Sequence, residues 1–355
     1  MGGRIGKTFD GGQRVRLAGF AGGVTLLHLA GWGLLLTYGV GHPAFLGLGG
    51  LAYTFGLRHA FDADHISAID NTTRKLLQHG RKPVGVGFFF SIGHSTVVLL
   101  IAIALGLAAK TIVQGVVGDN GQLRSIGGAV GTLVSGGFLV LIGILNLVIL
   151  LEIVRVYRRM RRGDFDRAGL ENELIAGGIM TRIFGRLFRV IEHSWQMYPI
   201  GFLFGLGFDT ASEVAFLAVS AGAAAQGVPL VAILSLPLIF AAGMSLMDTM
   251  DGAFMSKAYE WAFASPIRKV FYNLTVTSLS VFVALFVGVA QLAQILVQVL
   301  GLHGGVFSAI ARLNLLGVAG YVIVAAFAIT WGAAFVIYKV RRIDERWSST
   351  VDKVA

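Results

Sequence analysis

The sequence RHAFDADHI, from Arg58 to Ile66, places two histidines, two aspartates and an arginine inside an apolar segment that runs from Ala44 to Ile69. A segment of this length is long enough to cross a bilayer as a helix, because about 20 residues span the hydrocarbon core. Each charged side chain near the bilayer centre costs about 2.5–3.5 kcal/mol on insertion scales. The stretch therefore predicts a membrane-spanning helix whose polar residues serve a function.

The composition of the 355-residue chain indicates a membrane protein. Hydrophobic residues make up 55% of it and charged residues only 14%, whereas a soluble domain carries about 25% charged residues. The formal net charge of +10 is not concentrated in one basic patch, so no nucleic-acid partner is indicated and membrane lipid is the expected surroundings. The absence of cysteine excludes disulfides and thiolate ligands, which leaves imidazole and carboxylate for binding a metal.

Apolar segments of spanning length predict an all-α membrane protein with eight transmembrane helices in a single domain that covers residues 1–355. Glycine is abundant, with 49 residues, which predicts close packing between helices. The predicted helices lie at Leu17–Val40, Ala44–Ile69, Val84–Ala109, Ile126–Val154, Met197–Ala223, Val228–Met255, Val270–Leu300 and Leu315–Tyr338.

The distribution of basic residues predicts the orientation. Most of the 29 Lys and Arg residues fall in the two termini and in alternate loops, and such residues mark the cytoplasmic side of a membrane protein. Both termini are therefore predicted to be cytoplasmic, in a multi-pass protein of the cytoplasmic membrane. Residues 155–194 form the longest predicted cytoplasmic loop, and its stretch Thr181–Ile191 has the amphipathic pattern of a helix that lies on the membrane surface.

The polar residues of the second segment suit a transition metal. On an ideal helix His59, Asp62 and His65 follow at i, i+3 and i+6 and form one stripe. Two imidazoles beside a carboxylate suit a borderline divalent ion such as nickel, cobalt, copper or zinc. Asp64 points away from the stripe, so we expect it to orient a neighbour or to pair with Arg58.

Further candidate residues occur in other predicted helices. The predicted helices together hold six intramembrane carboxylates, two of them in the second helix, and Arg58 can neutralise only one of the six. A path for a cation is therefore the simplest explanation of their presence. The further candidates are His94 and Ser95 in the third helix, Asp209 and Glu213 in the fifth, Asp248 and Asp251 in the sixth, and His28 in the first as a secondary ligand.

Four motifs resemble those of the nickel/cobalt transporter family of eight-helix membrane permeases. The stretch Arg58–Ile66 matches the family signature at every fixed position, and residues 93–98, 206–213 and 243–251 resemble three further motifs, with Ser212 where a threonine is usual. The resemblance implies uptake of nickel and/or cobalt, with no enzymatic activity and no cofactor beyond the transported ion. It further implies that ion recognition centres on His59, Asp62, Asp64 and His65, with Phe61 and His28 in the neighbourhood that affects metal preference.

Two other functions and one internal symmetry remain open from the residues. A metal exporter of similar architecture would use the same polar groups, and an intramembrane metal-dependent hydrolase would use two histidines and several aspartates to activate water. The second and third helices share short motifs with the fifth and sixth, which suggests inverted repeats.

Overall fold

The computed structural model describes residues 9–107, 122–162, 191–206, 228–263, 265–302, 304–311, 319–343 and 345–347. Every regular element in these ranges is helical, which confirms the all-α prediction for the described part of the chain. The helices are α1 Gly11–Gly39, α2 Pro43–His59, α3 Ala63–Gln78, α4 Val86–Leu107, α5 Gln122–Arg162, α6 Met197–Gly205, α7 Leu230–Ile233, α8 Ser235–Phe263, α9 Pro266–Tyr272, α10 Ser278–Val299, α11 Gly305–Ala311 and α12 Ala319–Val340; a π-helical segment, Asn273–Thr277, joins α9 to α10.

Several of these helices are long and apolar enough to cross a membrane. Within the described ranges there are five such stretches, and Ala325–Val340 is a shorter apolar helix. Large apolar side chains on their outer faces are exposed, for example Leu29, Phe254 and Phe282, as expected for surfaces that face lipid. The five stretches are Gly11–Gly39, Val86–Ala104, Ser135–Arg162, Leu230–Phe263 and Val270–Val299.

The second predicted helix is interrupted at its polar centre. The prediction of one continuous helix over Ala44–Ile69 is wrong, because α2 ends at His59 and α3 begins at Ala63. Asp62 lies between them in an extended conformation, with φ −67° and ψ 145°, as the N-cap of α3. Aspartate favours this position over a helix interior. The break therefore replaces the predicted stripe on one helix by groups on two helix ends.

Helix α3 is a polar helix in the centre of the bundle. All its side chains from Asp64 to Leu76 are buried, and it packs against α4, α5, α8, α10 and α12. A helix that is polar and buried must satisfy its side chains inside the protein. Buried polar side chains therefore extend along α3, away from the helix break.

Glycines let the helices around α3 approach closely. A Cβ at Gly87 of α4 would lie 1.8 Å from the backbone oxygen of Asp248 in α8, and one at Gly201 of α6 would lie 1.9 Å from the backbone oxygen of Phe90. Neither position has room for a side chain. The high glycine content thus serves close packing between helices at these contacts, as the sequence predicts.

The first residues of the predicted cytoplasmic loop, residues 155–194, are helical. Helix α5 continues to Arg162, so the basic run from Arg155 is helical, since nothing in it breaks a helix. The predicted surface helix at Thr181–Ile191 falls almost entirely outside the described residues, as does most of the predicted fifth span.

Candidate metal centre

Three histidines from three helices meet at the break between α2 and α3. His59 ends α2, His65 lies in the first turn of α3, and His94 lies on α4; at most 2% of each is exposed. The Nε2 atoms of His59 and His94 are 3.0 Å apart. One nitrogen from each of the three rings lies within 4.8 Å of the other two. The arrangement offers three imidazole ligands to one ion.

Carboxylates orient two of the three rings. Nδ1 of His59 is 3.0 Å from Oδ2 of Asp62, and Nδ1 of His65 is 3.2 Å from Oδ2 of Asp248. A carboxylate on Nδ1 favours the tautomer that carries its proton there, which leaves the Nε2 lone pair for a metal. The Nε2 atom of His65 has no hydrogen-bond partner among the described residues. Asp62 and Asp248 therefore each restrain the orientation of one of these rings.

The two remaining charged residues of the RHAFDADHI stretch support this arrangement. Nη1 of Arg58 is 3.1 Å from Oδ1 of Asp62, so the carboxylate of Asp62 lies between a guanidinium and an imidazole. Oδ1 of Asp64 accepts a hydrogen bond from the backbone N–H of His65 at 3.0 Å, and its Oδ2 is 3.4 Å from Oγ of Ser135. Asp64 thus fixes the first turn of α3, which carries His65.

Aromatic rings enclose the cluster. The ring of Phe90 meets His65 edge to face, with 4.8 Å between ring centroids, and the ring of Phe240 lies 5.5 Å from that of His59. Apolar walls exclude water and strengthen electrostatic interactions inside the site. Within this enclosure, Oγ of Ser95 and Oδ1 of Asp248 are buried without a hydrogen-bond partner in the described ranges, so polar atoms remain available to an ion or to its bound water.

The other predicted residues lie at different distances from the cluster. His28 is held by α2, with Nε2 3.2 Å from the Tyr53 hydroxyl and Nδ1 2.8 Å from the Val24 carbonyl. Asp251 lies on α8 less than one turn beyond Asp248, and Phe61 lies in the break itself. Asp209 and Glu213 fall outside the described residues.

Sequence reasoning missed a second polar group further along α3. The carboxylate of Asp70 accepts hydrogen bonds from the Tyr259 hydroxyl at 2.6 Å and from the Ser280 hydroxyl at 2.7 Å, and Arg74 lies beside it. The i, i+4 spacing of Asp70 and Arg74 is the signal that could have found this group. Its partners on α8 and α10 are more than 180 residues away in sequence.

Apolar helices that surround three buried histidines at a helix break are typical of a membrane protein that binds or transports a transition-metal ion. The family described as "High-affinity nickel-transport protein" matches residues 45–337, and the chain belongs to that family. It is therefore a transport protein, and the intramembrane hydrolase is not supported.

Characterised relatives agree with this assignment. The chain is 50% identical over 339 residues to the nickel transporter NicT of Mycobacterium tuberculosis, covering 93% of this chain and 90% of the relative. It is also 50% identical over 325 residues to the nickel transporter NixA of Staphylococcus aureus, covering 92% and 95%. A cobalt transport protein, NhlF of Rhodococcus rhodochrous, is 42% identical over 340 residues, covering 93% and 94%. No solved structure matches the chain.

Proposed function

We propose that this protein takes up nickel and/or cobalt ions across the cytoplasmic membrane and binds them at His59, His65 and His94. The cluster of three buried imidazole rings carries the proposal. Imidazole suits nickel and cobalt, whereas magnesium and calcium prefer oxygen ligands. An open set of three ligands also permits release, which transport requires and a closed structural cage would prevent.

The carboxylates and secondary residues complete the proposed route. Asp62 and Asp248 orient the rings, and Arg58 in turn positions Asp62. Ser95 offers a hydroxyl to the ion's remaining water, while Phe61 and His28 shape the surroundings that influence the choice of metal. The remaining carboxylates of the route to and from the site are Asp64, Asp209, Glu213 and Asp251.

The proposed architecture has eight transmembrane helices in a single permease domain, with both termini in the cytoplasm and residues 155–194 as a cytoplasmic loop. One contact supports a common side for the N-terminus and the loop before α4: Asp10, which caps α1, forms an ion pair with Lys82. That ammonium, as a hydrogen-bond donor, lowers the pKa of the Asp10 carboxyl. Inverted repeats that relate helices 2–3 to 5–6 are part of the same proposal, since such repeats place a site at their interface.

Radiolabelled nickel and cobalt uptake tests the proposal. Cells that express the wild-type protein should accumulate the ion, and cells that express His59→Ala should fall to the level of cells without the protein. His42→Ala is the matched control, because His42 is exposed, its Nδ1 lies 3.0 Å from the Tyr38 carbonyl and its ring stacks on that of Tyr38. Equal accumulation with wild type and His59→Ala would exclude the site, and net efflux from preloaded cells would favour the exporter.

A further inference from the structure

A second charged group lies along α3 beyond the metal centre. Asp70 and Arg74 are both fully buried. Both carboxylate oxygens of Asp70 accept hydrogen bonds, one from Tyr259 of α8 and the other from Ser280 of α10, and Nη2 of Arg74 is 3.4 Å away. The aspartate is thus held by three helices.

The Arg74 guanidinium is only partly satisfied. Its Nη2 donates to Oδ1 of Asn71 at 2.6 Å, and its Cζ lies 5.7 Å from the centroid of the Tyr259 ring. Its Nε and Nη1 are buried without a hydrogen-bond partner in the part of the chain that the structure describes. A buried cation with unmade hydrogen bonds costs stability that an apolar residue would not. Its presence calls for a function beyond packing.

The position of this pair relates it to the metal centre. Along α3, Asp70 lies five residues and Arg74 nine residues beyond His65, which is about 7.5 Å and 13.5 Å along the axis. On the neighbouring α8, Asp251 lies within electrostatic range of both Asp248 and Asp70. Carboxylates therefore follow one another from the histidine cluster towards the far end of α3, and Arg74 stands at the end of the series.

We propose that Arg74, paired with Asp70, is the inner gate of the transport route, and this inference rests on the proposed function. In the conformation seen here, the guanidinium places a positive charge in the cytoplasmic half of the route and repels a divalent cation. Release requires Arg74 to leave Asp70, which frees a carboxylate for the ion at the same step. Tyr259 and Ser280 hold Asp70 in place while the arginine moves.

Local irregularity next to the pair supports movement at this position. Ser280 lies three residues after the π-helical segment Asn273–Thr277, within the first turn of α10, and π-helical turns occur frequently at functional sites. Asn146 of α5 donates to Oδ1 of Asn71 at 3.3 Å, the same atom that accepts from Arg74. Arg74 of α3 and Asn146 of α5 therefore share one acceptor, Oδ1 of Asn71. Asn146 can keep its hydrogen bond to this atom when Arg74 moves away.

The absence of cysteine in the chain permits a direct test. Ser67 lies on α3 between His65 and Asp70, is buried, and its Oγ has no hydrogen-bond partner in the described chain. In a Ser67→Cys background, a membrane-impermeant thiol reagent is added to the cytoplasmic side of inside-out vesicles and the labelling rate is measured. We expect slow labelling with Arg74 present and at least tenfold faster labelling with Arg74→Gln.

The control is Lys75→Gln, which removes an adjacent buried cation that is not paired with Asp70. It should leave the labelling rate unchanged. Equal rates with Arg74 and with Arg74→Gln, or the same increase with Lys75→Gln, would overturn the gate. If Arg74→Gln fails to fold, Asp70→Asn decides: it removes the charge that pairs with Arg74 and should raise labelling severalfold, and no increase would refute the proposal. Labelling does not require nickel, so failure of uptake and failure of the gate are distinguishable.

Discussion

Replacing Asp248 by asparagine tests whether this carboxylate acts on the metal through His65. The change keeps the size of the side chain but removes a charge 3.2 Å from Nδ1 of a buried imidazole. An asparagine can present its N–H group to Nδ1, which favours the tautomer with the proton on Nε2, where it blocks the metal. Asp248→Asn should therefore weaken nickel binding without changing the set of ligands.

The expected magnitude follows from the contact. A hydrogen bond to a charged group contributes about 1.5–3 kcal/mol, and loss of a partner that orients a metal-binding histidine lowers metal affinity by about 10–100-fold. These values agree, since a tenfold change corresponds to about 1.4 kcal/mol. We expect the Kd for nickel to rise by about 10–100-fold.

Titration calorimetry of purified protein in detergent measures this Kd. Asp10→Asn is the matched control, because it makes the same chemical change at the exposed start of α1 and should leave the Kd unaltered. A Kd for Asp248→Asn within twofold of wild type would refute the orienting role. A complete loss of binding in a folded variant would instead indicate that Asp248 binds the ion directly.

Three further changes test packing and electrostatics, each by thermal unfolding of the purified protein. Gly87→Ala should destabilise by about 3 kcal/mol, because its Cβ would lie 1.8 Å from the Asp248 carbonyl, whereas Gly33→Ala, with open space around it, should be neutral or stabilising; equal effects would contradict the close contact. Burial lowers the pKa of Lys75 from 10.5 to about 8, so the unfolded chain binds its proton more tightly and wild type should gain stability between pH 8 and 10.5. Lys75→Met should be more stable than wild type at pH 7, with a difference that shrinks over that range; a constant difference would argue against a buried charge. Asp10→Ala should cost about 1 kcal/mol by loss of the N-cap, and Asp10→Asn much less, because asparagine caps equally well.

The membrane class and the histidines of the metal centre were predictable from local sequence. Charged residues in an apolar segment identify His59 and His65, and the depth of His94 in the next segment suggests the third partner. The break between α2 and α3 was not predictable from the sequence, because residues 58–71 contain neither the proline nor the glycine that would indicate a helix end. Asp62 is predicted to bind the ion, and its contact with Nδ1 of His59 is the observation behind our proposal that it orients that ring.

Long-range contacts account for the rest of what sequence reasoning missed. The contact between His65 and Asp248 joins residues 183 positions apart, and the partners of Asp70 come from two helices in the C-terminal third of the chain. Spacing along one helix identifies which residues share a face, but it does not say which helix packs against that face. The sequence therefore shows which residues form the polar face of α3, but not which side chains of the other helices bind to them.

The helix break also affects how strongly the site holds a cation. The N-terminus of a helix carries about half a positive charge, and α3 begins at Ala63, beside the histidine cluster. This end of the helix opposes a divalent ion, while Asp62 and Asp64, at the N-cap and in the first turn, offset it. Helix α2 ends at His59, in the same cluster, and the C-terminus of a helix carries about half a negative charge, which favours a cation. The two helix ends therefore act on a bound cation with opposite sign. We expect the imidazoles and the neighbouring carboxylates, rather than the helix ends, to set the affinity.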